Sequence, residues 1–144
     1  MTTVLLLNGV NLDLLGEREP EIYGKATLDD HVAATRAAAT EAGFDLEHLQ
    51  SNHEGELVEA VHAARGRCDA IVINAAAFTH YAWGLHDALA AFEGPVIEVH
   101  LSNPNAREAW RHTSVISPVA TATISGLGTH SYTLAIQALT HLLG

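Results

Sequence analysis

The sequence predicts an α/β fold built on a parallel β-sheet, and two observations carry that prediction. Short apolar runs that suit buried strands alternate along the chain with segments of helical spacing, which is the pattern of parallel βαβ units. Polar residues follow three of these runs, at Asn8, Asn74 and His100; in an open parallel sheet, ligands bind at the carboxyl ends of the strands. The 144 residues, 48% of them hydrophobic, suit a single domain spanning residues 1–144.

Each predicted strand is a short apolar run bounded by turn residues. The first, Val4–Leu7, ends at the turn signal Asn8-Gly9. Continuous apolar runs of this length suit strands that are buried on both faces. The predicted strands are Val4–Leu7, Phe44–Gln50, Asp69–Asn74, Pro95–His100 and Val119–Ser125.

The predicted helices carry capping and spacing signals. Thr27 is a candidate N-cap, and Gly43 suits the C-terminal end of the helix that follows it. In the next helix Leu57, Val58 and Val61 lie at helical spacing. The predicted helices are Leu28–Ala42, Glu56–Ala64, Trp83–Phe92, a short Pro104–Arg111 and a closing Ser131–Leu143.

Composition excludes several kinds of partner. With 7 Lys and Arg against 17 Asp and Glu, the net charge of −10 argues against nucleic acid and anionic membrane surfaces as partners.

Cys68 is the single cysteine, so no internal disulfide can form. We interpret it as a small buried hydrophobe and expect a cytoplasmic location. The N-terminus has no signal-peptide pattern and the chain no apolar segment long enough to span a membrane.

Glu98 and His100 form a candidate acid pair at the end of the fourth strand. Because they lie two residues apart on a strand, both side chains point to the same face. Glu98 would then hold the orientation and tautomer of the imidazole, as a general acid requires. The alternative is a surface histidine beside a solvated glutamate.

The connection after the first strand is unusually long, since about fifteen residues precede the next helix signal. It carries Arg18 and Tyr23 between Gly16 and Gly24. One interpretation is a mobile lid that brings both side chains to the site; the other is a solvated loop. A tyrosine can serve as a base if a nearby cation stabilises its phenolate, and Arg18 is the candidate cation.

The sequence carries no pattern that indicates a cofactor. It lacks HExxH, a P-loop and GxGxxG, and its ten histidines are scattered without ligand spacing. We therefore expect no metal and no nucleotide cofactor. In the predicted helix after His100, Arg107 and Arg111 would share a face and suit an anion or a polyol. A surface ion pair between Glu108 and Arg111 is the alternative.

Several motifs, in order along nearly the whole chain, resemble type II 3-dehydroquinate dehydratase. They are Asn8-Gly-Val-Asn-Leu-Asp-Leu-Leu-Gly16, Arg18-Glu-Pro with Tyr23-Gly24, Gln50-Ser-Asn-His-Glu-Gly-Glu-Leu57, Ile73-Asn74 with Thr79-His80, and Glu98-Val-His-Leu-Ser-Asn103 with Arg107-Glu and Arg111-His-Thr-Ser. The resemblance implies a flavodoxin-like fold with strand order 2-1-3-4-5. It also implies metal-free anti elimination of water from 3-dehydroquinate, a small-molecule substrate, by a dodecamer built from trimers.

The resemblance also implies roles for individual residues. Tyr23 would take the C2 proton of the substrate, with Arg18 stabilising its phenolate and Asn11 stabilising the enolate through a water. His100, oriented by Glu98, would protonate the departing C1 hydroxyl. The substrate-binding residues would be the backbone amides of Leu101 and Ser102 together with Asn74, His80, Arg111 and Asp87, the last lent to a neighbouring subunit's site.

The chain departs from the family pattern at three places. Val10 and Ser131 stand where the family has Pro and Gly, and the segment 81–86 contains Tyr81, Trp83 and His86 in place of smaller residues and an Arg. This segment follows His80, so a related lyase acting on another cyclic hydroxy-acid is an alternative function. A non-catalytic binding or scaffold protein is a further alternative, although a scaffold needs neither an acid nor a base.

Overall fold

A five-stranded parallel sheet organises the computed structural model, which describes residues 1–17 and 19–144. The predicted role of Arg18 therefore lies outside the described residues. The strands are β1 (Thr2–Asn8), β2 (Phe44–Gln50), β3 (Ala70–Asn74), β4 (Val96–His100) and β5 (Ala122–Ser125), in the order β2-β1-β3-β4-β5. All four neighbouring pairs are parallel. The predicted α/β flavodoxin-like fold and strand order are confirmed.

Helices cover both faces of the sheet. They are α1 (Pro20–Tyr23), α2 (Leu28–Ala42), α3 (Glu54–Ala64), α4 (Trp83–Ala90) and α5 (Thr129–Leu142). α2 packs with α5 over one face, and α3 packs with α4 over the other. This arrangement is doubly wound, with one pair of long helices on each face of the sheet.

β1 shows why the central strands are continuously apolar. Leu5 and Leu7 point to the core under α3 and α4, whereas Val4 and Leu6 point to the core under α2 and α5. Successive strand side chains face opposite sides, so a strand covered on both faces needs an apolar residue at every position. Each of these side chains is at most 4% exposed, and burying one contributes about 1.5–3 kcal/mol.

The start of α2 confirms the predicted cap. Thr27 Oγ1 accepts the N–H of Asp30 at 3.2 Å, and Asp30 Oδ2 accepts the N–H of Thr27 at 2.9 Å. This reciprocal pair satisfies two backbone donors that the first helical turn leaves free. The helix ends at Gly43, whose φ of 82° is left-handed, as predicted for a C-terminal glycine.

Most element boundaries agree with the prediction to within about two residues, the usual uncertainty at helix ends. The predicted fifth strand is wrong in its first part, because Ser117–Val119 forms a 3₁₀ turn before β5 begins at Ala122. The long loop after β1 contains a 3₁₀ turn, Leu12–Leu14, and the short helix α1, which the sequence did not predict.

The predicted helix Pro104–Arg111 is also wrong. Two 3₁₀ turns, Pro104–Ala106 and Ala109–His112, take its place, and between them Arg107 has extended backbone angles of φ −117° and ψ −161°. Arg107 and Arg111 therefore do not share a helical face. The side chain of Arg107 instead hydrogen-bonds to Tyr23, a tertiary contact that local sequence spacing does not contain.

Candidate active site

A pocket of about 260 Å³ opens at the carboxyl edge of the sheet. Its walls come from the segments that follow β1, β3 and β4, together with α1 and the two 3₁₀ turns after β4. The predicted site residues that line it are Asn11, Tyr23, Asn74, His80, His100, Leu101, Ser102 and Arg111. Parallel pairing brings these segments together, since the register sets Asn8 beside Asn74 and His100 beside Ser125.

His100 is held by Glu98 from behind the pocket. The imidazole Nε2 lies 2.6 Å from Glu98 Oε2. Because a carboxylate accepts hydrogen bonds, Nε2 carries a proton and donates it to Glu98. The other ring nitrogen, Nδ1, is then the atom that can exchange a proton with a bound molecule. The geometry favours the oriented acid over the alternative of a surface histidine.

Glu98 is a buried carboxylate that accepts hydrogen bonds from neighbouring side chains. The residue is 1% exposed, and Ser114 Oγ and Ser117 Oγ donate to its oxygens at 2.9 and 2.5 Å. Burial by itself raises the pKa of Glu98, but the hydrogen bond and positive charge of His100, helped by the two serine hydroxyls, outweigh it and leave that pKa below its ordinary value. Glu98 therefore stays ionised and faces His100 as a negatively charged hydrogen-bond acceptor.

Tyr23 meets a cation at the end of α1. Arg107 Nη1 donates to the Tyr23 hydroxyl at 2.8 Å, and the guanidinium carbon lies 5.1 Å from the centre of the Tyr23 ring. The same nitrogen lies 3.4 Å from Ser102 Oγ. Arg107 therefore places a positive charge directly against the Tyr23 hydroxyl in the pocket wall.

The turn after β1 explains why Asn8-Gly9 is followed by another asparagine. A Cβ on Gly9 would lie 2.3 Å from the carbonyl oxygen of Ala75, so only glycine fits there. Asn11 adopts a left-handed φ of 67°, a conformation that asparagine tolerates better than most residues. The backbone N–H of Asn11 donates to Asn52 Oδ1 at 2.9 Å, which anchors the turn. Asn11 itself lines the pocket.

His80 and Arg111 both contact Trp110, an exposed tryptophan in the pocket wall. The His80 ring meets Trp110 edge to face at 5.1 Å, and the Arg111 guanidinium lies 4.0 Å from the Trp110 ring centre. His80 Nδ1 donates to the Thr113 carbonyl at 2.7 Å, and burial lowers the pKa of His80. Arg111 also pairs with Glu108, so it makes the ion pair that the sequence offered as an alternative while still lining the pocket.

Asp87 does not line this pocket. Its side chain is 86% exposed on α4, 3.9 Å from His86 Nε2. The divergent segment 81–86 also stays outside the pocket lining, with Tyr81 and Trp83 58% and 61% exposed. His86 Nδ1 donates to the Val115 carbonyl at 2.6 Å, which ties α4 to the segment before β5.

Sequence reasoning missed some residues that the geometry brings to the site. It considered Arg107 for anion binding but did not connect it with Tyr23, which lies 84 positions earlier. It assigned no role to Ser114 and Ser117, the partners of Glu98. Ser114 is the last residue of the family motif Arg111-His-Thr-Ser, so the motif was a signal that could have identified it. No local sequence signal indicates a role for Ser117 or Trp110.

The part of the chain that the structure describes contains neither a metal-binding cluster nor a membrane-spanning helix. Residues 1–17 and 19–144 contain no group of three or more His, Cys, Asp or Glu side chains arranged to hold a metal ion. Among the same residues, no helix combines the length and apolar character needed to cross a membrane.

The fold and the pocket define a class of protein: a flavodoxin-like α/β protein with a polar pocket at the carboxyl edge of its sheet. Comparison with known proteins identifies the family. The family model described as dehydroquinase class II matches residues 2–140. A 3-dehydroquinate dehydratase of Aeromonas salmonicida is 54% identical over 140 residues, covering 97% of this chain and 94% of its own.

Two further relatives agree. The 3-dehydroquinate dehydratase 1 of Corynebacterium efficiens is 53% identical over 136 residues, 94% of this chain and 90% of its own. The crystal structure of a type II dehydroquinase from Propionibacterium acnes has a TM-score of 0.93 and 44% identity, covering 98% of this chain and 97% of its own. The chain belongs to the dehydroquinase class II family and is an enzyme, a hydro-lyase.

Proposed function

We propose that this enzyme is a type II dehydratase that converts 3-dehydroquinate to 3-dehydroshikimate and water by anti elimination, with Tyr23 as base and His100 as acid. The observation that carries this proposal is that both side chains line one pocket, each with a charged partner: Arg107 on Tyr23 and Glu98 on His100. The names of the relatives support the choice of substrate.

The first step is removal of the C2 proton. The Tyr23 phenolate oxygen takes this proton, and the electrons of the C2–H bond move to the C3 carbonyl oxygen as an enolate. Arg107 stabilises the phenolate before transfer, and Arg18 is proposed to add a second positive charge. Asn11, which lines the pocket, supports the proposal that an amide stabilises the enolate through a water.

The second step breaks the C1–O bond. The enolate re-forms the C3 carbonyl, the C1–C2 double bond forms, and the departing hydroxyl takes a proton from Nδ1 of the His100 imidazolium to leave as water. Glu98 stabilises that imidazolium through Nε2 until the proton is given up. A proton returns from Tyr23 to His100 through solvent, so the net products are 3-dehydroshikimate and water.

Substrate binding is proposed to use the remaining wall of the pocket. The backbone amides of Leu101 and Ser102 hold the substrate carboxylate, while Asn74, His80 and Arg111 bind carboxylate or ring hydroxyls. All of these residues line the pocket, which supports the assignment. The exposed carboxylate of Asp87 is proposed to complete the site of a neighbouring subunit. The proposed assembly is a dodecamer built from trimers, and its proposed location is the cytoplasm.

The decisive experiment mixes purified protein with 3-dehydroquinate and follows the ultraviolet absorbance of the conjugated enone product. We expect turnover that is unaffected by EDTA. His100→Gln is the matched control, since it keeps a polar side chain but cannot serve as the acid. Absence of turnover by the parental protein would refute the proposed function.

A further inference from the structure

A buried chain of hydrogen bonds runs from the pocket to the far side of β1. Tyr132, on α5, is 0% exposed, and its hydroxyl donates to Asn8 Oδ1 at 2.6 Å. The same hydroxyl accepts from Asn74 Nδ2 at 3.0 Å. Asn8 in turn places Nδ2 3.0 Å from His48 Nε2 on β2. None of Asn8, Tyr132 or His48 lines the pocket, but Asn74 does.

One backbone group sets the direction of every bond in this chain. The N–H of Ala76 can only donate, and it lies 3.1 Å from Asn74 Oδ1. Asn74 Nδ2 must therefore face Tyr132, whose hydroxyl must accept there and donate to Asn8 Oδ1. Asn8 Nδ2 then donates to His48, whose Nε2 carries no proton. Reversing the Asn74 amide would set two donors against each other at Ala76 and break the sequence.

Ala76 also needs this contact. It has a positive φ of 54°, a conformation that costs an L-residue roughly 1–2 kcal/mol. The bond from its N–H to Asn74 helps to hold the backbone there, directly beside the pocket wall that Ala76 itself forms.

We propose that Tyr132 is a positioning residue for substrate binding, whose hydroxyl holds the Asn74 amide so that the second N–H of Nδ2 is directed at a substrate oxygen. This inference rests on the proposed function, in which Asn74 binds substrate. Without these contacts, the Asn74 side chain could adopt other staggered χ1 rotamers, and its amide could face either way. The hydroxyl of Tyr132 and the N–H of Ala76 leave one arrangement.

The surroundings of Tyr132 suit this role. Burial raises the pKa of Tyr132 far above its ordinary value, so the hydroxyl keeps its proton throughout the working pH range. The ring is stacked on His31 of α2 at 5.6 Å between centroids. A neutral hydroxyl on a fixed ring donates to Asn8 and accepts from Asn74 without changing its own charge.

The test compares Tyr132→Phe with Thr35→Val in the turnover assay. Each deletes one buried hydroxyl, but the Thr35 hydroxyl donates to the His31 carbonyl within α2, at 2.7 Å, and not to the chain that holds Asn74. A hydrogen bond of about 0.5–1.5 kcal/mol corresponds to about 2- to 13-fold, so Tyr132→Phe should raise KM by about that factor with kcat nearly unchanged. Thr35→Val should leave both constants at their parental values.

A double-substitution cycle separates positioning from general loosening. Asn74→Ala should raise KM, and adding Tyr132→Phe to it should change KM no further, because the hydroxyl acts through Asn74. The proposal would be overturned if the two substitutions together multiplied their separate effects on KM. It would also be overturned if Tyr132→Phe kept the parental KM, or if Thr35→Val raised KM as much as Tyr132→Phe does.

A second measurement does not depend on activity. The Asn74 side-chain amide proton that bonds to the Tyr132 hydroxyl should exchange slowly with solvent by NMR in the parental protein and in Thr35→Val, and rapidly in Tyr132→Phe. Slow exchange in Tyr132→Phe would overturn the inference. If the parental protein failed to turn over 3-dehydroquinate, only the proposed function would fall, and this readout would still decide what Tyr132 does to Asn74.

Discussion

Tyr23 and His100 each reach the pocket with a charged partner already in contact. Arg107 donates to the Tyr23 hydroxyl, and Glu98 accepts from His100 Nε2. In the proposed mechanism these opposite charges suit the two roles, because a base must be stabilised as an anion and an acid as a cation. Residue substitutions can test each half of this arrangement separately.

Tyr23→Phe should fold normally and lose about 10² to 10⁴ in kcat, the usual contribution of a positioned proton-transfer group. Only one hydroxyl is deleted, and the ring keeps its place beside the Arg107 guanidinium. Steady-state kinetics with 3-dehydroquinate measure the loss, and circular dichroism checks the fold. A kcat near the parental value would show that another residue is the base.

Arg107→Leu should lower kcat by about 10- to 10²-fold, because a hydrogen bond to a charged group contributes about 1.5–3 kcal/mol. Arg107→Lys is the matched variant, since it keeps the charge but loses the planar donor that reaches Tyr23 and Ser102 together. We expect its kcat to fall between the two. Equal kcat in all three proteins would exclude Arg107 from activating Tyr23.

Glu98→Gln should lower kcat by about 10² or more, because it removes the negative charge that stabilises the His100 imidazolium. The substitution preserves side-chain shape in a site that is 1% exposed. The control is Ser117→Ala, which removes one hydrogen bond to Glu98 and leaves its charge; its effect should be much smaller. An active Glu98→Gln variant would contradict the paired-acid mechanism.

At the scale of secondary-structure elements, the buried residue His31 connects α2 to α5. The residue is 2% exposed, its Nδ1 lies 2.9 Å from Thr129 Oγ1, and its ring is stacked on Tyr132. Burial lowers the pKa of His31, although Asp30 opposes the shift. The neutral imidazole is therefore the form that fits between the helices.

The sign of the resulting pH dependence follows from proton binding. Below about pH 6.5 the unfolded chain protonates His31 while the folded protein resists it. Stability contributed by the neutral ring is thus complete above that pH and is lost as the pH falls through the lowered pKa. His31→Phe should show a weaker loss of unfolding free energy between pH 7 and pH 5, measured by urea denaturation. Parallel curves for the two proteins would contradict this assignment.

At the scale of the whole molecule, we expect the divergent segment 81–86 to affect assembly more than chemistry. Tyr81 and Trp83 are exposed and lie outside the pocket lining, on the same helical region as the exposed Asp87. Aromatic side chains at an interface each bury about 150–250 Å², so contact with a neighbouring subunit would cover them. Both features favour an oligomer in which this face of the chain meets another copy.

We expect the parental protein to sediment as a dodecamer, or at least as a trimer. A variant that combines Tyr81→Thr, Ala82→Ser, Trp83→Val and His86→Arg should change KM or oligomer stability more than kcat. Gly84 is left unchanged, because a Cβ there would lie 2.9 Å from Glu54 Oε2, which accepts the N–H of Leu85.

Analytical ultracentrifugation measures the oligomeric state of both proteins, and the turnover assay measures their KM and kcat. A fully active parental monomer would refute the shared site. Turnover that appears only in the combined variant would show instead that the segment has redirected substrate specificity.

The sequence by itself determined the α/β class and the position of the first four sheet strands, and it offered the pairing of Glu98 with His100 as one of two interpretations. These features are local: apolar runs, caps such as Thr27, and two residues on one strand face are all encoded within a few positions. The strand order and the site residues beyond that pair were accessible through family resemblance, because long motifs were present in order.

Only the tertiary structure decided which distant side chains meet. Arg107 reaches Tyr23 across 84 positions, Tyr132 reaches Asn8 across 124, and Ser117 reaches Glu98 across 19. The predicted helix over 104–111 failed for the same reason, since Arg107 lies in an extended backbone between two turns and reaches a residue from another part of the chain. Sequence spacing describes neighbours along one element, whereas these contacts depend on how parallel strands bring separate loops to one edge of the sheet.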